Sequence, residues 1–283
     1  MDFGIDIFAT DTTMQPLDLA RHCERLGFES LWLPEHSHIP TSRVTPWGGR
    51  KNAPPLPEKY WRTHDTLVAL GAMAAVTDTI RLGTGITLLA QRDPIWTAKE
   101  VATVDHLANG RFLFGVGYGW NVEEMAHHGT EYSTRRALLR EKVLLMKSLW
   151  TEEEASYEGE FVTLDPSWAW PKPVQRPHPP VILGGKFGPK LVADLVEFCD
   201  GWIPHGVSAL PAQTAQVRQA LEDAGRDPSR FSMTIFAAPL EDRMIEQAHD
   251  ARVDRVLFGI ESNEPQQVLE DLEEAAEFAD RHR

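Results

Sequence analysis

The feature that most constrains this chain is a regular alternation of short apolar strand patterns with helical patterns. Strand patterns lie at 3–8, 30–33, 80–89, 112–116, 181–183, 201–204, 231–236 and 255–258, and helical patterns lie at 16–26, 63–76, 95–108, 134–150, 189–198, 211–224, 241–249 and 265–283. Such alternation predicts a parallel sheet covered by helices. About eight strand–helix units match a closed barrel. We therefore predict an α/β fold, a single (β/α)8 TIM barrel over residues 1–283, with an open doubly wound sheet as the alternative.

Two long irregular segments interrupt the alternation. The first, about 35–62, is polar and rich in Pro and Gly, and the second, about 157–180, is rich in Trp and Pro. Loops of this length are uncommon in compact domains unless they carry function. We therefore expect insertions on the barrel that contribute to its functional site.

The charge and cysteine content narrow the class of protein. Lys and Arg total 28 against 42 Asp and Glu, and a net charge of -14 repels a phosphate backbone, so we expect no nucleic acid partner. No apolar run reaches a membrane span and the first residues lack a basic signal region, which predicts a soluble protein that is not exported. Cys23 and Cys199 lie on apolar faces, as reduced core thiols of a cytoplasmic protein do.

Glu35 and His36 follow the second strand directly. In a barrel, residues at the carboxyl ends of strands form the active site. A histidine that titrates near neutral pH beside a carboxylate suits general acid/base catalysis, whereas a hydrogen-bonded loop histidine is the structural alternative. His36 and His38 also resemble a metal-ligand pair, but only His205 offers a further ligand at a later strand end, so we expect no metal.

Glycines cluster after the fourth and fifth strands. The run from Gly115 to Asn121 resembles a dinucleotide fingerprint, but Trp120 occupies the position of the third glycine, which argues against that site. These glycines either admit a flat ligand close to the backbone or relieve crowding. The segment 184–188 (GGKFG) precedes a helix at Pro189, which favours a phosphate site, with a plain turn as the alternative.

Aromatic side chains concentrate in the same long segments. They are Trp47, Tyr60, Trp61, Tyr118, Trp120, Trp168 and Trp170. Such a cluster above a barrel mouth either packs beneath loops or lines an apolar pocket for a conjugated ring and an organic substrate.

Taken together, these segments resemble the luciferase-like flavin/deazaflavin oxidoreductase superfamily, and in particular its branch that depends on coenzyme F420. The likeness spans nearly the whole chain and rests on Glu35-His36, 82–87 (LGTGIT), 105–112 (DHLANGRF), 115–121 (GVGYGWN) and 171–180 (PKPVQRPHPP). The resemblance implies a (β/α)8 barrel with insertions over its mouth, commonly dimeric, with the cofactor ring against strands two to four.

The resemblance also assigns roles to individual positions. It implies a non-proline cis peptide at Gly85-Ile86, a catalytic His36 oriented by Glu35, and a phosphate site at the glycine turn. The implied cofactor-binding residues are Thr84, Gly85, Ile86, Thr87, Gly117, Gly119, Asn121, Gly184, Gly185, Lys186 and Phe187, and the implied substrate-binding residues are Trp47, Trp61, Trp120 and His205. One position departs from the dehydrogenase pattern, because Trp120 stands where those branches carry a carboxylate.

The implied cofactor is coenzyme F420, with FMN as the alternative. Because F420 is polyanionic, an acidic protein must present a local basic patch to bind it. The candidates are Arg43, Arg50, Lys51, Lys186 and Lys190, unless these are scattered solvated cations. The resemblance thus implies hydride transfer between F420 and a small organic substrate. A monooxygenase that uses reduced FMN and a binding protein without turnover remain the alternatives.

Overall fold

A computed structural model describes residues 1–283. The strands are β1 (Asp2–Ile7), β2 (Ser30–Leu33), β3 (Arg81–Thr84), β4 (Phe112–Gly117), β5 (Ala155–Glu158), β6 (Thr163–Ser167), β7 (Val181–Gly185), β8 (Gly201–Pro204), β9 (Ser232–Ala238) and β10 (Arg255–Ile260). The helices are α1 (Pro16–Arg25), α2 (Lys59–Arg62), α3 (Thr66–Ala74), α4 (Pro94–Leu107), α5 (Val122–His127), α6 (Arg135–Thr151), α7 (Pro189–Phe198), α8 (Leu210–Asp223), α9 (Asp242–Asp250) and α10 (Pro265–Asp280).

Eight of the strands close into a parallel barrel in the order β1-β10-β9-β8-β7-β4-β3-β2. The pairing of β1 with both β10 and β2 completes the ring, with Ile5 opposite Phe258 on one side and Leu31 on the other. The predicted (β/α)8 TIM barrel is therefore confirmed, and the open sheet is excluded because the barrel has no free edge.

The barrel is packed on both sides of its strands. Inside it, Trp32, Leu113, Ile182, Ile203 and Leu257 form a small apolar cluster that fills the lumen. Outside, the strands and helices share the main core. Strands that are buried on both faces need apolar residues throughout, which is why they appear in the sequence as continuous apolar runs.

Local sequence signals set most helix starts. The side chains of Asp65 and Asp93 accept hydrogen bonds from the backbone of Val68 and Trp96 and so cap α3 and α4. Proline occupies the first turn of α1, α4, α7, α8 and α10. No helix in the protein combines the length and apolar character that crossing a bilayer requires.

The structure differs from the sequence-based expectation in four elements. The strand expected over 80–89 is shorter, because β3 ends at Thr84. The helix expected over 63–76 is α3 alone, and the short helix α2 precedes it at the end of the segment that was expected to be irregular. The second irregular segment contains the antiparallel hairpin β5–β6, which is anchored by backbone N–H groups that donate to the Glu141 carboxylate. Helix α5 was not predicted, and it carries Glu124 in its first turn.

Candidate active site

Strand β3 ends in a two-residue bulge at the mouth of the barrel. Thr84 donates its hydroxyl to the Gly115 carbonyl oxygen at 2.7 Å, and the Thr87 backbone N–H donates to the same oxygen at 2.8 Å. Gly85 and Ile86 lie between these anchors and are joined by a cis peptide bond, as the resemblance implied. Pairing with β4 resumes beyond the bulge, where Thr87 opposes Val116. The bulge therefore projects Ile86 into the mouth.

Glycines on the neighbouring strands make room for this bulge. A Cβ at Gly117 would lie 2.5 Å from Cδ1 of Ile86, and one at Gly184 would lie 3.3 Å from Cγ2 of the same side chain. A side chain at Gly117 would therefore displace Ile86, and one at Gly184 would press against it, so the two glycines leave room for Ile86 in this position. Gly119 has a φ of 76°, a left-handed conformation that favours glycine. Ile86, together with Phe236, forms a floor over the apolar lumen.

Two buried polar atoms at the mouth have no partner within the protein. They are Oγ1 of Thr87 and Nδ2 of Asn121, both on residues that the sequence assigned to the cofactor. A buried polar group without a hydrogen bond is costly, so such groups usually meet a ligand or an ordered water. A flat ring bearing carbonyl and N–H groups would satisfy both atoms, so the residues present fit a deazaflavin or a flavin.

His36 is held rigidly beside this site. Its Nδ1 atom lies 2.7 Å from Oε2 of Glu124, and both side chains are buried. Burial alone would raise the Glu124 pKa, but the hydrogen bond and charge of His36, with hydrogen bonds from Gln91 and the Ser37 backbone, hold it below its ordinary value. An ionised Glu124 accepts a hydrogen bond from the Nδ1–H of His36. In this tautomer of His36, the Nε2 atom keeps a free lone pair. No protein group bonds Nε2. This arrangement can take or give one proton at Nε2.

The expectation that Glu35 orients His36 is wrong. The Glu35 carboxylate accepts hydrogen bonds from Arg92 and from the backbone N–H of Leu88, each at 2.6 Å. Arg92 also pairs with Asp65 and Glu100. Glu35 points towards the loop after β3 because Arg92 lies there, and it fixes that loop rather than the histidine.

Glu124 was missed because helix α5 was missed. Asn121 caps α5 by accepting a hydrogen bond from the Glu124 N–H, at 3.5 Å. An N-cap residue followed three positions later by Glu is a recognised start signal for a helix. That signal was present in the sequence, directly after the glycine run. It would have placed Glu124 in the first turn of a helix that follows β4.

Aromatic rings surround His36. Its ring centroid lies 5.2 Å from that of Tyr60 and 5.7 Å from that of Trp120, and Trp47 lies 5.7 Å from Tyr60. The structure thus brings Trp47 and Trp120 together, as expected. It does not bring Trp61, which is 47% exposed on α2 and makes no ring contact with this group. Tyr60, and not Trp61, is the residue of α2 that packs against His36.

Two further titratable groups lie at the ends of strands. His205 follows β8, with its Nε2 atom 3.9 Å from where a Cβ on Gly184 would lie, and burial lowers its pKa. The Asp6 carboxylate accepts a hydrogen bond from Ala237, and burial raises the pKa of Asp6 to about 8. Asp6 was not predicted, because a lone acid within an apolar strand gives no distinct signal.

The turn after β7 has a different character. Gly184 and Gly185 are buried at the strand end, Phe187 is half-buried against Trp202, and Lys186 is exposed without an ion pair. The backbone N–H groups of Lys190 and Leu191, in the first turn of α7, have no acceptor in the protein. An exposed cation beside free N–H groups suits an anion.

The other candidate cations divide into two groups. Lys190 follows Lys186 by four residues, in the first turn of α7, and is exposed. Arg43 and Arg50 instead stack on Trp120 and Trp47, at 5.7 and 5.5 Å, while Lys51 is exposed in the first insertion. The basic groups therefore flank the mouth at two places.

Known proteins share both the sequence and the fold. An uncharacterized protein of Mycobacterium tuberculosis is 40% identical over 262 residues, 92% of each chain. An F420-dependent glucose-6-phosphate dehydrogenase of Kineococcus radiotolerans is 31% identical over 77% of this chain and 61% of its own.

Two solved structures match nearly the full length. The monooxygenase RslO1 of Streptomyces bottropensis has a TM-score of 0.80 at 20% identity and covers 100% of this chain and 99% of its own. The coenzyme F420-dependent tetrahydromethanopterin reductase of Methanopyrus kandleri has a TM-score of 0.70 at 16% identity and covers 98% and 96%. The sequence model of the luciferase-like monooxygenases matches residues 9–283. With the closed barrel, the bulge and this match over nearly the whole chain, the protein belongs to the luciferase-like monooxygenase family.

Proposed function

We propose that this protein is an F420-dependent oxidoreductase that transfers a hydride between the deazaflavin and a small organic substrate, an alcohol in one direction and a carbonyl compound in the other. The observation that carries the proposal is the buried His36–Glu124 pair, which presents a free Nε2 atom at the mouth. Exchanging an alcohol for a carbonyl moves one proton together with the hydride, and this pair is built to handle that proton.

The residues of the mouth divide the binding task. Thr87 and Asn121 offer unpartnered polar atoms to the edge of a ring, and the bulge at Ile86 backs its face. Lys186 and the first turn of α7 offer charge and N–H groups to a phosphate. When bound, the deazaflavin supplies a carbon centre that accepts or donates hydride.

The remaining chemistry belongs to the side chains of this protein. Glu124 fixes the tautomer of His36, so that Nε2 takes the hydroxyl proton of an alcohol or returns it to a developing alkoxide. Tyr60 and Trp120 pack against His36, Trp47 packs on Tyr60, and together these rings limit the access of water to His36. Exclusion of water strengthens the electrostatic interactions between His36 and Glu124.

A reduced-FMN monooxygenase is the second candidate. It is supported by the fold shared with the monooxygenase RslO1 along the whole chain. The F420 assignment is favoured by the F420-dependent glucose-6-phosphate dehydrogenase of Kineococcus radiotolerans, which is 31% identical to this chain. A paired histidine base is also more directly useful for alcohol oxidation than for oxygen activation. A binding protein without turnover would not need this pair at all.

Turnover separates the candidates. Stoichiometric oxidised F420 and a panel of primary and secondary alcohols are mixed with the protein, and the absorbance of the oxidised deazaflavin is followed. The same panel is tested with reduced FMN and oxygen. We expect substrate-dependent loss of deazaflavin absorbance. Substrate-dependent oxygen uptake with reduced FMN, and no deazaflavin turnover, would overturn the proposal.

The proposed setting is a cytoplasmic homodimer. Both cysteines, Cys23 and Cys199, are free and buried, as a reducing compartment permits. Adjacent helices α3 and α4 expose apolar side chains that a second copy would cover, namely Val68, Ile95, Trp96 and Leu107. Light scattering of the purified protein tests this, and Trp96→Glu is expected to shift a dimer towards the monomer. A wild-type monomer would refute it.

A further inference from the structure

The hydrogen bonds of His36 continue past Glu124 to the protein surface. While Oε2 of Glu124 binds His36, Oε1 accepts hydrogen bonds from the Ser37 backbone N–H at 3.2 Å and from the Ser37 hydroxyl at 3.4 Å. The Ser37 hydroxyl in turn lies 2.7 Å from Nε2 of His128 and 3.0 Å from Nδ1 of His38. Nε2 of His38 lies 2.8 Å from Nδ1 of His127. The chain of contacts therefore runs unbroken from the buried histidine to three others.

The inner end of this chain is buried and its outer ends are exposed. His36 and Glu124 are buried, His38 is half-buried, and Ser37, His127 and His128 are exposed. A cavity of about 340 Å³ is lined by His36, Ser37, Gln91 and His128, among others, so water reaches the outer members. Two local segments build the arrangement: residues 36–38 follow β2, and α5 carries Glu124 in its first turn and His127 at its end.

The outermost histidine is suited to release a proton to water. Partial desolvation and the neighbouring His38 and His127 lower the pKa of His128, while the Glu124 and Glu35 carboxylates act in the opposite direction. A lowered pKa favours release of a proton that His128 has received. Imidazole, carboxylate and hydroxyl groups can each accept a proton on one side and release one on the other.

The geometry points to a proton path that connects His36 to solvent through Glu124, Ser37 and the three other histidines. This path leaves from Nδ1, on the side of the His36 imidazole opposite to the substrate. This inference rests on the proposed function, in which His36 takes a proton at Nε2. With substrate covering the mouth, Nε2 is closed to water, and the Nδ1 side is the remaining exit.

The protons balance at every step. When Nε2 of His36 gains one proton, Nδ1 releases one to Oε2 of Glu124. The neutral carboxyl then turns about its Cγ–Cδ bond and carries this proton to the side of Ser37, where Oε1 stood. The Ser37 oxygen takes it and gives its own hydroxyl proton to Nε2 of His128, which passes that proton to water. Glu124 and Ser37 end as they began. His36 recovers its original tautomer by exchange with water once the product has left. In the reducing direction the same path supplies a proton.

The simpler role for these side chains is to hold the loop after β2 on α5. Ser37→Ala separates the two roles, because it removes only the hydroxyl and keeps the backbone N–H bond to Glu124. Ser37→Thr is the conservative variant that restores a hydroxyl. His249→Gln is the matched control, since His249 is also exposed but lies on α9.

The first experiment needs no cofactor. The exchange of the His36 Nδ1 proton with water is measured by NMR on protein labelled with ¹⁵N in its imidazole rings. We expect Ser37→Ala to slow this exchange roughly tenfold, while Ser37→Thr and His249→Gln exchange like the wild type. Equal rates in wild type and Ser37→Ala would overturn the path, whatever reaction the protein performs.

The second experiment uses the F420-loaded enzyme with a substrate found by the turnover assay. The triple variant His38→Gln, His127→Gln, His128→Gln is expected to lower kcat in weakly buffered solution, with KM unchanged, and added imidazole is expected to restore kcat. A loss of kcat that imidazole does not restore would indicate a structural role and refute the path. Absence of F420 turnover in the wild type would refute the proposed function, and the NMR result would still decide the path.

Discussion

The two sides of the barrel mouth are built on opposite principles. On the side of β2, β3 and α5, ionisable groups find their partners within the protein: His36 with Glu124, and Glu35 with Arg92. On the side of β7 and α7, Lys186 is exposed without an ion pair and backbone N–H groups stand free. Internal pairing fixes the orientation and tautomer of a reacting group in advance. Unpaired donors and cations instead await a charged ligand.

We therefore propose that the first side performs catalysis and that the second side anchors the cofactor. Substitutions on the first side should change kcat with little effect on cofactor affinity, and those on the second side should do the reverse.

The largest expected effect is that of His36→Ala. Removing the proton-transferring group should lower kcat by about 10² to 10⁴-fold, because the substrate proton then has no acceptor. Steady-state kinetics and calorimetry with F420 together check this, and the dissociation constant for F420 should be unchanged. Wild-type kcat in this variant would remove His36 from the mechanism.

Glu124→Gln should have the next largest effect, with kcat lowered roughly 10²-fold. The amide keeps the shape of the side chain, but its N–H can donate a hydrogen bond to an unprotonated Nδ1 and so favour the wrong tautomer of His36. The matched control is Glu35→Gln, which removes the other carboxylate near His36. If both variants lowered kcat equally, Glu35 would be orienting His36 after all.

The Glu124 carboxylate also makes the free energy of unfolding depend on pH. Because the folded-state pKa of Glu124 lies below its ordinary value of 4.5, its contribution to stability is complete above that value and is lost as the pH falls through the lower folded pKa. Chemical denaturation between neutral and acidic pH checks this, and the free energy of unfolding of Glu124→Gln should fall less on acidification. Parallel losses in both proteins would contradict the assignment.

Lys186→Ala should weaken F420 binding about fivefold, equivalent to roughly 1 kcal/mol, and leave kcat at saturation unchanged. The loss should shrink as salt is added, since the lysine is exposed and its charge is screened. Titration calorimetry at two salt concentrations measures it. Arg230→Ala, an exposed cation in the short helical turn before β9, is the control and should have no effect.

The smallest expected effect is that of Glu35→Gln. Arg92 keeps its pairs with Asp65 and Glu100 when Glu35 is neutralised. We therefore expect a loss of about 1 kcal/mol in the free energy of unfolding and a change in kcat of less than roughly threefold. Thermal unfolding and steady-state kinetics check the two parts separately.

The sequence was sufficient for the barrel and for the local positions of most site residues. Periodicity and turn signals act over a few residues, and they correctly located His36 in the loop after β2. The cis peptide at Gly85-Ile86 came from the family resemblance, since the apolar pattern over 80–89 runs through both residues. The carboxylate that holds His36 was not found, because Glu124 lies 88 positions away along the chain. Glu35 is adjacent to His36 in the sequence and was expected to be its partner. Its carboxylate instead accepts a hydrogen bond from Arg92 in the loop after β3. Pairing between loops depends on side-chain packing that no local pattern encodes.

Titration calorimetry of the purified protein with F420 and, separately, with FMN tests the central claim most directly. The account predicts one F420 site per chain, bound more tightly than FMN and weakened by Lys186→Ala but not by His36→Ala. Tight binding of FMN with no heat from F420 would contradict it.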